Sequence, residues 1–286
     1  MTKRGWLLFL ALGLIWGTPY LMIRVAVTSI DPLVVAFGRT VIGALILLPI
    51  AFYRGELMPA LRHWPALILF TLVEISGPWL LLGHAETRLN SSTAGLMLAM
   101  VPLIAAVIVT WLGHEHFDKR RIAGLILGFA GVAILVGFDI QMSDLAAVGA
   151  MALTALGYAI GPIVINRRLA GVPALGVVAA SLLLAALFYA PFAPSLWPSN
   201  PPVAAVASVV GLGVLCTAVA FVVFFALIAE VGPSRATVIT YINTVVAIIL
   251  GVVLLNEPLT LGMAVGFPLV IAGSILGTAR ARAAHS

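Results

Sequence analysis

Charge is what this sequence has least of. Only 9% of its 286 residues are charged, with ten Asp and Glu against fifteen Lys and Arg, while 63% are hydrophobic. Soluble domains carry about a quarter charged residues. So few polar side chains cannot cover a soluble globule of this size. We therefore expect a lipid bilayer to cover most of the surface.

Other scarce residues exclude further classes. The single Cys216 rules out an internal disulfide. A Walker A loop needs Gly-Lys before Ser or Thr, and neither Lys3 nor Lys119 follows a glycine, so this route to ATP hydrolysis is excluded. The basic residues form no stripe with interleaved aromatics, which argues against nucleic acid as a partner.

Enzymatic chemistry finds little support in the motifs. His114, Glu115 and His116 form a tight cluster, but a zinc protease motif needs two histidines at i and i+4, and these are at i and i+2. A solvated helix end beside Asp118 is the simpler interpretation. No nucleophile and base at matching depth can be recognised. We expect no enzymatic activity, no metal and no cofactor.

Long apolar runs take the place of the missing polar residues. A membrane-spanning helix needs about 20 apolar residues, and ten runs approach or exceed this length: 5–27, 33–53, 64–84, 92–113, 121–138, 144–166, 174–190, 203–229, 235–255 and 259–279. The first run has no cleavage site before Val27 and is expected to be a retained helix. The connections are too short to hold a soluble domain. The predicted fold class is therefore an all-α integral membrane protein with ten transmembrane helices.

The basic residues predict the orientation, because Lys and Arg favour cytoplasmic loops. Arg88 lies in an odd-numbered connection, and Arg24 and Arg39 lie inside helices toward their outer ends, where long side chains can snorkel. The other twelve lie at the termini and in the even-numbered connections: Lys3, Arg4, Arg54, Arg62, Lys119, Arg120, Arg121, Arg167, Arg168, Arg235, Arg280 and Arg282. Both termini are predicted to be cytoplasmic.

The sequence also aligns with itself. A shift of 142 residues places Glu115 on Glu257, Gly124 on Gly266, Gly131 on Gly273 and Trp16 on Tyr158. Each half then has five helices, and an odd number inserts the second half upside down. Inverted repeats are typical of secondary transporters, with the substrate site near the midplane. We predict two repeats, residues 1–140 and 141–286.

These features resemble a known family. Each half carries a Glu motif before a Gly-rich fifth helix, ending at Glu115 and Glu257, and helix 1 contains Trp16-Gly-Thr-Pro-Tyr20. This arrangement is similar to the EamA branch of the drug/metabolite transporter superfamily, and within it to exporters of aromatic amino acids. The resemblance implies export of amino acids or related metabolites from the cytoplasm, across a bacterial inner membrane, without ATP.

Glu74 is the most informative single residue. It lies midway along the third predicted helix between apolar neighbours, and a charge at that depth usually faces an interior cavity. Three roles are open: holding a substrate amino group, carrying a coupled proton, or pairing with Arg24 or Arg39. Gly77 and Pro78 follow and predict a kink.

Aromatic and methionine side chains at similar depth complete the predicted substrate site. They suit planar, apolar or cationic groups, although helix packing is the alternative for each one. The substrate-binding candidates are Glu74, Trp16, Tyr20, Trp79, Met97, Met100, Tyr158 and Tyr241.

The resulting hypothesis is a secondary transporter that works by alternating access, with a small molecule and the bilayer as its partners. A channel-like facilitator and an exporter of drugs or cationic metabolites remain alternatives. The oligomeric state is left open, a monomer included.

Overall fold

The computed structural model describes residues 2–113, 118–232 and 239–278. Within these ranges the regular structure is helical, and ten helices have sixteen residues or more. They are α1 Lys3–Val27, α2 Pro32–Tyr53, α3 Trp64–Glu86, α4 Ser91–Trp111, α5 Lys119–Asp139, α6 Leu145–Arg168, α7 Ala174–Tyr189, α8 Val203–Val231, α9 Ile239–Leu255 and α10 Leu261–Thr278. Short helical segments lie at Leu57–Leu61, Met142–Asp144 and Ala193–Leu196.

Eight helices of the described chain are long and apolar enough to cross a membrane. The two shorter ones are α7 and α9, and α7, with 16 residues, is about 24 Å long against a hydrocarbon core of about 30 Å. The described part of α9 begins where the undescribed residues 233–238 end, inside its predicted span. Ten crossings therefore remain a prediction.

The surface of the bundle is apolar, as the composition predicts. Leu7, Leu45 and Ile126 are 66–70% exposed on different helices. Because such side chains are stabilised by lipid and not by water, the outer face of the bundle fits a bilayer.

Helix ends follow local chemistry. The Asp31 side chain accepts a hydrogen bond from Leu33 N at 2.8 Å and so caps the α2 N-terminus. Pro32 begins α2, and its ring holds the backbone φ angle near the helical value. The helix α1 is interrupted at Thr18, because Pro19 has no N–H to donate; the hydroxyl of Thr18 bonds back to Leu14 O at 2.7 Å.

Two helices contain a turn of π-helix. The segment Thr71–Ser76 interrupts α3, and the segment Val214–Val219 interrupts α8. The wider turn of α3 thus directly precedes Pro78, where the sequence predicts a kink. Such turns often mark functional positions in membrane helices.

Glycines let α5 and α10 approach to backbone contact along most of their length. A Cβ placed on Gly273 would overlap the backbone of Gly128, and one on Gly131 would meet Gly266 O at 2.8 Å. This contact makes α5 and α10 a closely packed pair of supporting helices. Around them α2 packs on α7, α4 on α9, and α3 on α6.

Candidate functional site

Arg39 lies at the meeting point of three helices. It extends from α2, and only 7% of it is exposed. Its guanidinium carbon lies 3.6 Å from the ring centroid of Trp79 on α3, a cation–π contact. Its Nε donates to Thr217 Oγ1 on α8 at 2.9 Å, and Thr217 in turn donates to Leu212 O.

The expectation that Arg39 snorkels to the surface is therefore wrong. The side chain turns inward because Trp79 and Thr217 give its guanidinium a π-face and a hydrogen-bond acceptor inside the bundle. Within the described residues it forms no ion pair, unlike Arg54, which pairs with Glu56 near the surface.

A signal for the burial of Arg39 was present in the sequence. Ala36, Thr40, Gly43 and Ala44 recur at helical spacing on the same face of α2, and all are buried. A stripe of small residues marks the side on which helices approach closely. An arginine on that stripe faces the bundle interior.

Glu74 lies in the π-helical turn of α3 and points against α6. Gly157 and Gly161 leave the room for this contact: a Cβ on Gly161 would overlap the Glu74 carboxylate, and one on Gly157 would overlap Val73 O. Its Oε2 atom is buried and has no hydrogen-bond partner among the described groups.

The alternative in which Glu74 pairs with an arginine is not what the structure contains. Arg24 donates to the main-chain oxygen of Glu86 at 2.5 Å, and Arg39 contacts Trp79 and Thr217. The roles of Glu74 in holding a substrate cation or a proton remain open.

Tyr158 of α6 lies in the neighbourhood of Arg39, Glu74 and Trp79. Tyr20 of α1 lies in the neighbourhood of Tyr158 and Arg39. Arg39 contacts Trp79 of α3, and Glu74, five residues earlier on α3, contacts α6. We call Tyr20, Arg39, Glu74, Trp79 and Tyr158 the central cluster.

The other four predicted site residues lie elsewhere. Trp16 packs against Phe224 of α8, with ring centroids 4.8 Å apart. Met97 and Met100 are buried in the apolar core around α4. Tyr241 lies beside Ser274 and Thr278, between α9 and α10.

The widened turn of α3 is held by a neighbouring helix. The hydroxyl of Tyr189, a fully buried residue of α7, donates to Ser76 O at 2.5 Å. A buried main-chain carbonyl without a donor is costly, so this bond stabilises the turn that carries Glu74.

A cavity of about 380 Å³ lies at one end of the bundle. It is lined by Arg24, Val25, Thr28, Asn90, Leu255, Asn256, Glu257 and Pro258. None of the eight predicted site residues belongs to this lining. The cavity lies between the ends of α1 and α9 and the start of α4.

Glu257 closes one wall of this cavity by capping α4. One carboxylate oxygen accepts from Ser91 N at 2.8 Å and Ser91 Oγ at 2.9 Å, and the other accepts from Ser92 N at 2.9 Å and Ser92 Oγ at 2.5 Å. The local N-cap residue, Asn90, makes no side-chain bond to this helix end. A carboxylate from the far end of the chain therefore satisfies the first N–H groups of α4.

Glu86 was missed by the sequence reasoning. The predicted helix ended at residue 84, which placed Glu86 in a connection, whereas α3 continues to Glu86 and buries it completely. Both carboxylate oxygens lack a partner among the described groups, and Arg24 and Glu257 are its charged neighbours. The burial of Glu86 could not be predicted, because Thr87 and Arg88 follow it directly and such a polar stretch is typical of an exposed connection.

A bundle of apolar helices that buries an arginine, a glutamate and several aromatic rings has the features of a membrane carrier. The family comparison agrees. The model of the EamA-like transporter family matches residues 3–137 and 145–278, and the chain belongs to this family. It is a membrane transporter of the drug/metabolite type.

Relatives extend over most of the chain. The uncharacterized transporter YvbV of Bacillus subtilis is 28% identical over 97% of this chain and 92% of its own. The uncharacterized inner membrane transporter YedA of Escherichia coli K12 is 27% identical over 87% and 82%. A probable terminal-alkyne amino-acid exporter of Streptantibioticus cattleyicolor is 26% identical over 98% and 92%.

A solved crystal structure shares the fold. It superposes with a TM-score of 0.70 and 23% identity, covering 97% of this chain and 98% of the other. The names of these relatives support transport and do not support the narrower resemblance to aromatic amino-acid exporters. The His114–His116 cluster lies outside the described residues, and within them no group of three or more metal-binding side chains occurs.

Proposed function

We propose that this protein is a secondary carrier of the bacterial inner membrane that exports amino acids or related small metabolites from the cytoplasm by alternating access. The observation that carries the proposal is the central cluster, where a buried arginine and a glutamate lie near one tyrosine and form no ion pair with each other. Buried charges of this kind usually serve a substrate or ion pathway. The name of the amino-acid exporter among the relatives supports the substrate class.

The two-repeat organisation, residues 1–140 and 141–286 in opposite orientation, is part of the proposal. The family model matches the chain twice, once in each half. The π-helical turns at Thr71–Ser76 and Val214–Val219 are offset by 143 residues, close to the 142-residue shift of the sequence repeat. The positions of two unusual turns thus support a duplication independently of side-chain identity.

The orientation with both termini in the cytoplasm rests on the basic residues, of which Arg235, Arg280 and Arg282 lie outside the described residues. With this orientation the cavity beside Arg24 and Glu257 lies at the outer end. The central cluster lies deeper, as expected of a carrier whose substrate site is near the midplane.

Within the central cluster we assign substrate contacts to Glu74, Tyr20, Trp79 and Tyr158. The aromatic rings provide flat apolar surfaces and can also face a cation. Trp16, Met97, Met100 and Tyr241 remain predictions from the sequence.

A counterflow assay tests the proposal. Purified protein is reconstituted into liposomes loaded with unlabelled threonine, methionine or phenylalanine, and uptake of the labelled amino acid is compared with uptake by protein-free liposomes. Saturable exchange supports a carrier, whereas flux that rises linearly with concentration indicates a channel-like facilitator. Exchange of cationic drugs but of no amino acid would show that cationic drugs, and not amino acids, are the substrate class.

The role of Glu74 is tested in the same assay with Glu74→Gln. The matched control is Glu56→Gln, whose carboxylate pairs with Arg54 near the surface. We expect Glu74→Gln to slow exchange and change its pH dependence, and Glu56→Gln to do neither. An unchanged rate and pH profile in Glu74→Gln would remove both the coupling role and the binding of a charged substrate group.

A further inference from the structure

We infer that Arg39 binds the carboxylate of the substrate, so that the site selects small molecules with a free carboxylate over amines, esters and cationic drugs. This inference rests on the proposed function and names the chemical group that the central cluster recognises.

The first argument is the charge of Arg39. Arginine stays protonated in proteins, and a buried cation is costly unless an anion or several acceptors surround it. The described chain supplies Arg39 with one hydroxyl acceptor, Thr217, and the face of Trp79, but with no carboxylate within ion-pair distance. An anion is the component that this environment lacks.

The second argument is the number of free donors. Arginine has five N–H donors, and the bond to Thr217 uses only the one on Nε. The four donors on the two terminal nitrogens bond to no group in the described part of the chain. These four form the planar fork that holds a carboxylate through two parallel hydrogen bonds. The guanidinium carbon lies 3.6 Å from the ring centroid of Trp79, so the fork is held against this ring.

The third argument is the position of Glu74. Glu74 lies on α3 five residues before Trp79, the ring that Arg39 contacts, and its carboxylate faces Gly161 of α6, about one turn from Tyr158. Arg39 and Glu74 do not neutralise each other, because they form no ion pair. A zwitterion offers a carboxylate to Arg39 and an ammonium to Glu74, whereas a simple amine could satisfy only Glu74.

The test uses pairs of competitors in the counterflow assay. Phenylalanine, methionine and threonine are each compared with their own methyl ester, which retains the side chain and the amine but lacks the carboxylate. The wild-type protein should prefer the free acid by about 10- to 100-fold, the range expected for hydrogen bonds to a charged group. Arg39→Gln should weaken competition by the acid to a similar extent and leave the ester unchanged, so that the preference disappears.

A control variant separates recognition from structural support. Thr217→Val removes the hydrogen-bond partner of Arg39 but keeps the guanidinium, and it should retain the preference for the free acid. A purely structural role would instead weaken acid and ester equally in Arg39→Gln. Preference retained in Arg39→Gln, or esters competing as well as acids in the wild type, would overturn the inference.

A binding measurement decides the question even if no amino acid is exchanged. Thermal unfolding of the detergent-solubilised protein is followed with 3-phenylpropionate and with its uncharged amide. Stabilisation by the acid alone, lost in Arg39→Gln, supports the carboxylate site while the proposed amino-acid export fails. Equal stabilisation by both compounds, or by neither, refutes the site. If Arg39→Gln does not fold, Arg39→Lys replaces it and should show a reduced preference, because lysine keeps the charge but lacks the fork.

Discussion

The cap that Glu257 places on α4 leads to a quantitative prediction. Its carboxylate accepts four hydrogen bonds, two from main-chain N–H groups and two from the hydroxyls of Ser91 and Ser92. In Glu257→Gln one oxygen becomes an NH₂ group, which cannot accept. One buried N–H then loses its acceptor, and the remaining hydrogen bonds are weaker because their acceptor no longer carries a negative charge.

The expected cost is about 2–4 kcal/mol in the free energy of unfolding, since a buried donor without a partner costs about 1–3 kcal/mol and bonds to a charged group exceed neutral ones. This corresponds to a factor of about 30 or more in the unfolding equilibrium. Ser91→Ala and Ser92→Ala remove only a hydroxyl each and should cost about 0.5–1.5 kcal/mol.

Reversible unfolding in mixed detergent and SDS micelles, followed by circular dichroism, measures these differences. Glu56→Gln is the control. Its side chain is 18% exposed, but its partner Arg54 is 64% exposed, and a pair that reaches the surface contributes about 1 kcal/mol or less. If Glu257→Gln and Glu56→Gln unfold within about 0.5 kcal/mol of each other, the cap does not stabilise the protein and the reasoning fails.

Three further predictions concern helix contacts. Gly273→Ala should destabilise the protein by about 2–5 kcal/mol in the same unfolding assay, because its Cβ would overlap the facing backbone, whereas Gly137→Ala, with open space around it, should be neutral or stabilising. Tyr189→Phe should cost about 1–3 kcal/mol through the carbonyl of Ser76 that it leaves without a donor. Gly161→Ala should abolish amino-acid exchange in proteoliposomes while the variant still folds, because the methyl group displaces the carboxylate of Glu74. Normal exchange in this variant would show that transport does not require the Glu74 carboxylate at its present position.

Much of the architecture follows from apolar run length. The predicted spans 33–53 and 64–84 correspond to Pro32–Tyr53 and Trp64–Glu86, because a run of apolar residues has few alternatives to a helix in a bilayer. The two residues by which α3 exceeds its prediction decide the environment of Glu86. Polar residues at a helix end look the same in sequence whether they face water or a neighbouring helix.

The site was harder to predict than the helices. Depth in the membrane points to Glu74, Trp79 and Tyr158, which share one neighbourhood in the bundle. Their contact with a substrate stays a prediction. Depth gives no information on rotation about the helix axis, so Trp16 was selected with them although it faces α8. Arg39 is expected at the surface because an arginine in a membrane helix usually reaches water. Only its contacts with Trp79 and Thr217 on other helices show that it is buried.

The π-helical turns could not be read from the sequence. A proline predicts a break in the hydrogen-bond ladder, but it does not specify whether the helix kinks or widens. In α3 the turn is completed by Tyr189, more than a hundred residues away, whose hydroxyl bonds to Ser76 O. The shape of the turn is thus a property of the assembled bundle.

The two widened turns differ in what they carry. The 142-residue shift of the sequence places Glu74 on Cys216, and the 143-residue offset of the turns places it on Thr217, so the acid of one half has no acidic counterpart in the other. In the proposed alternating-access cycle, two identical halves in opposite orientation would make the inward-open and outward-open conformations equivalent by a two-fold rotation, with equal free energies. An acid in only one half removes this equivalence, so the proposal implies that the carrier prefers one of the two conformations before any substrate binds.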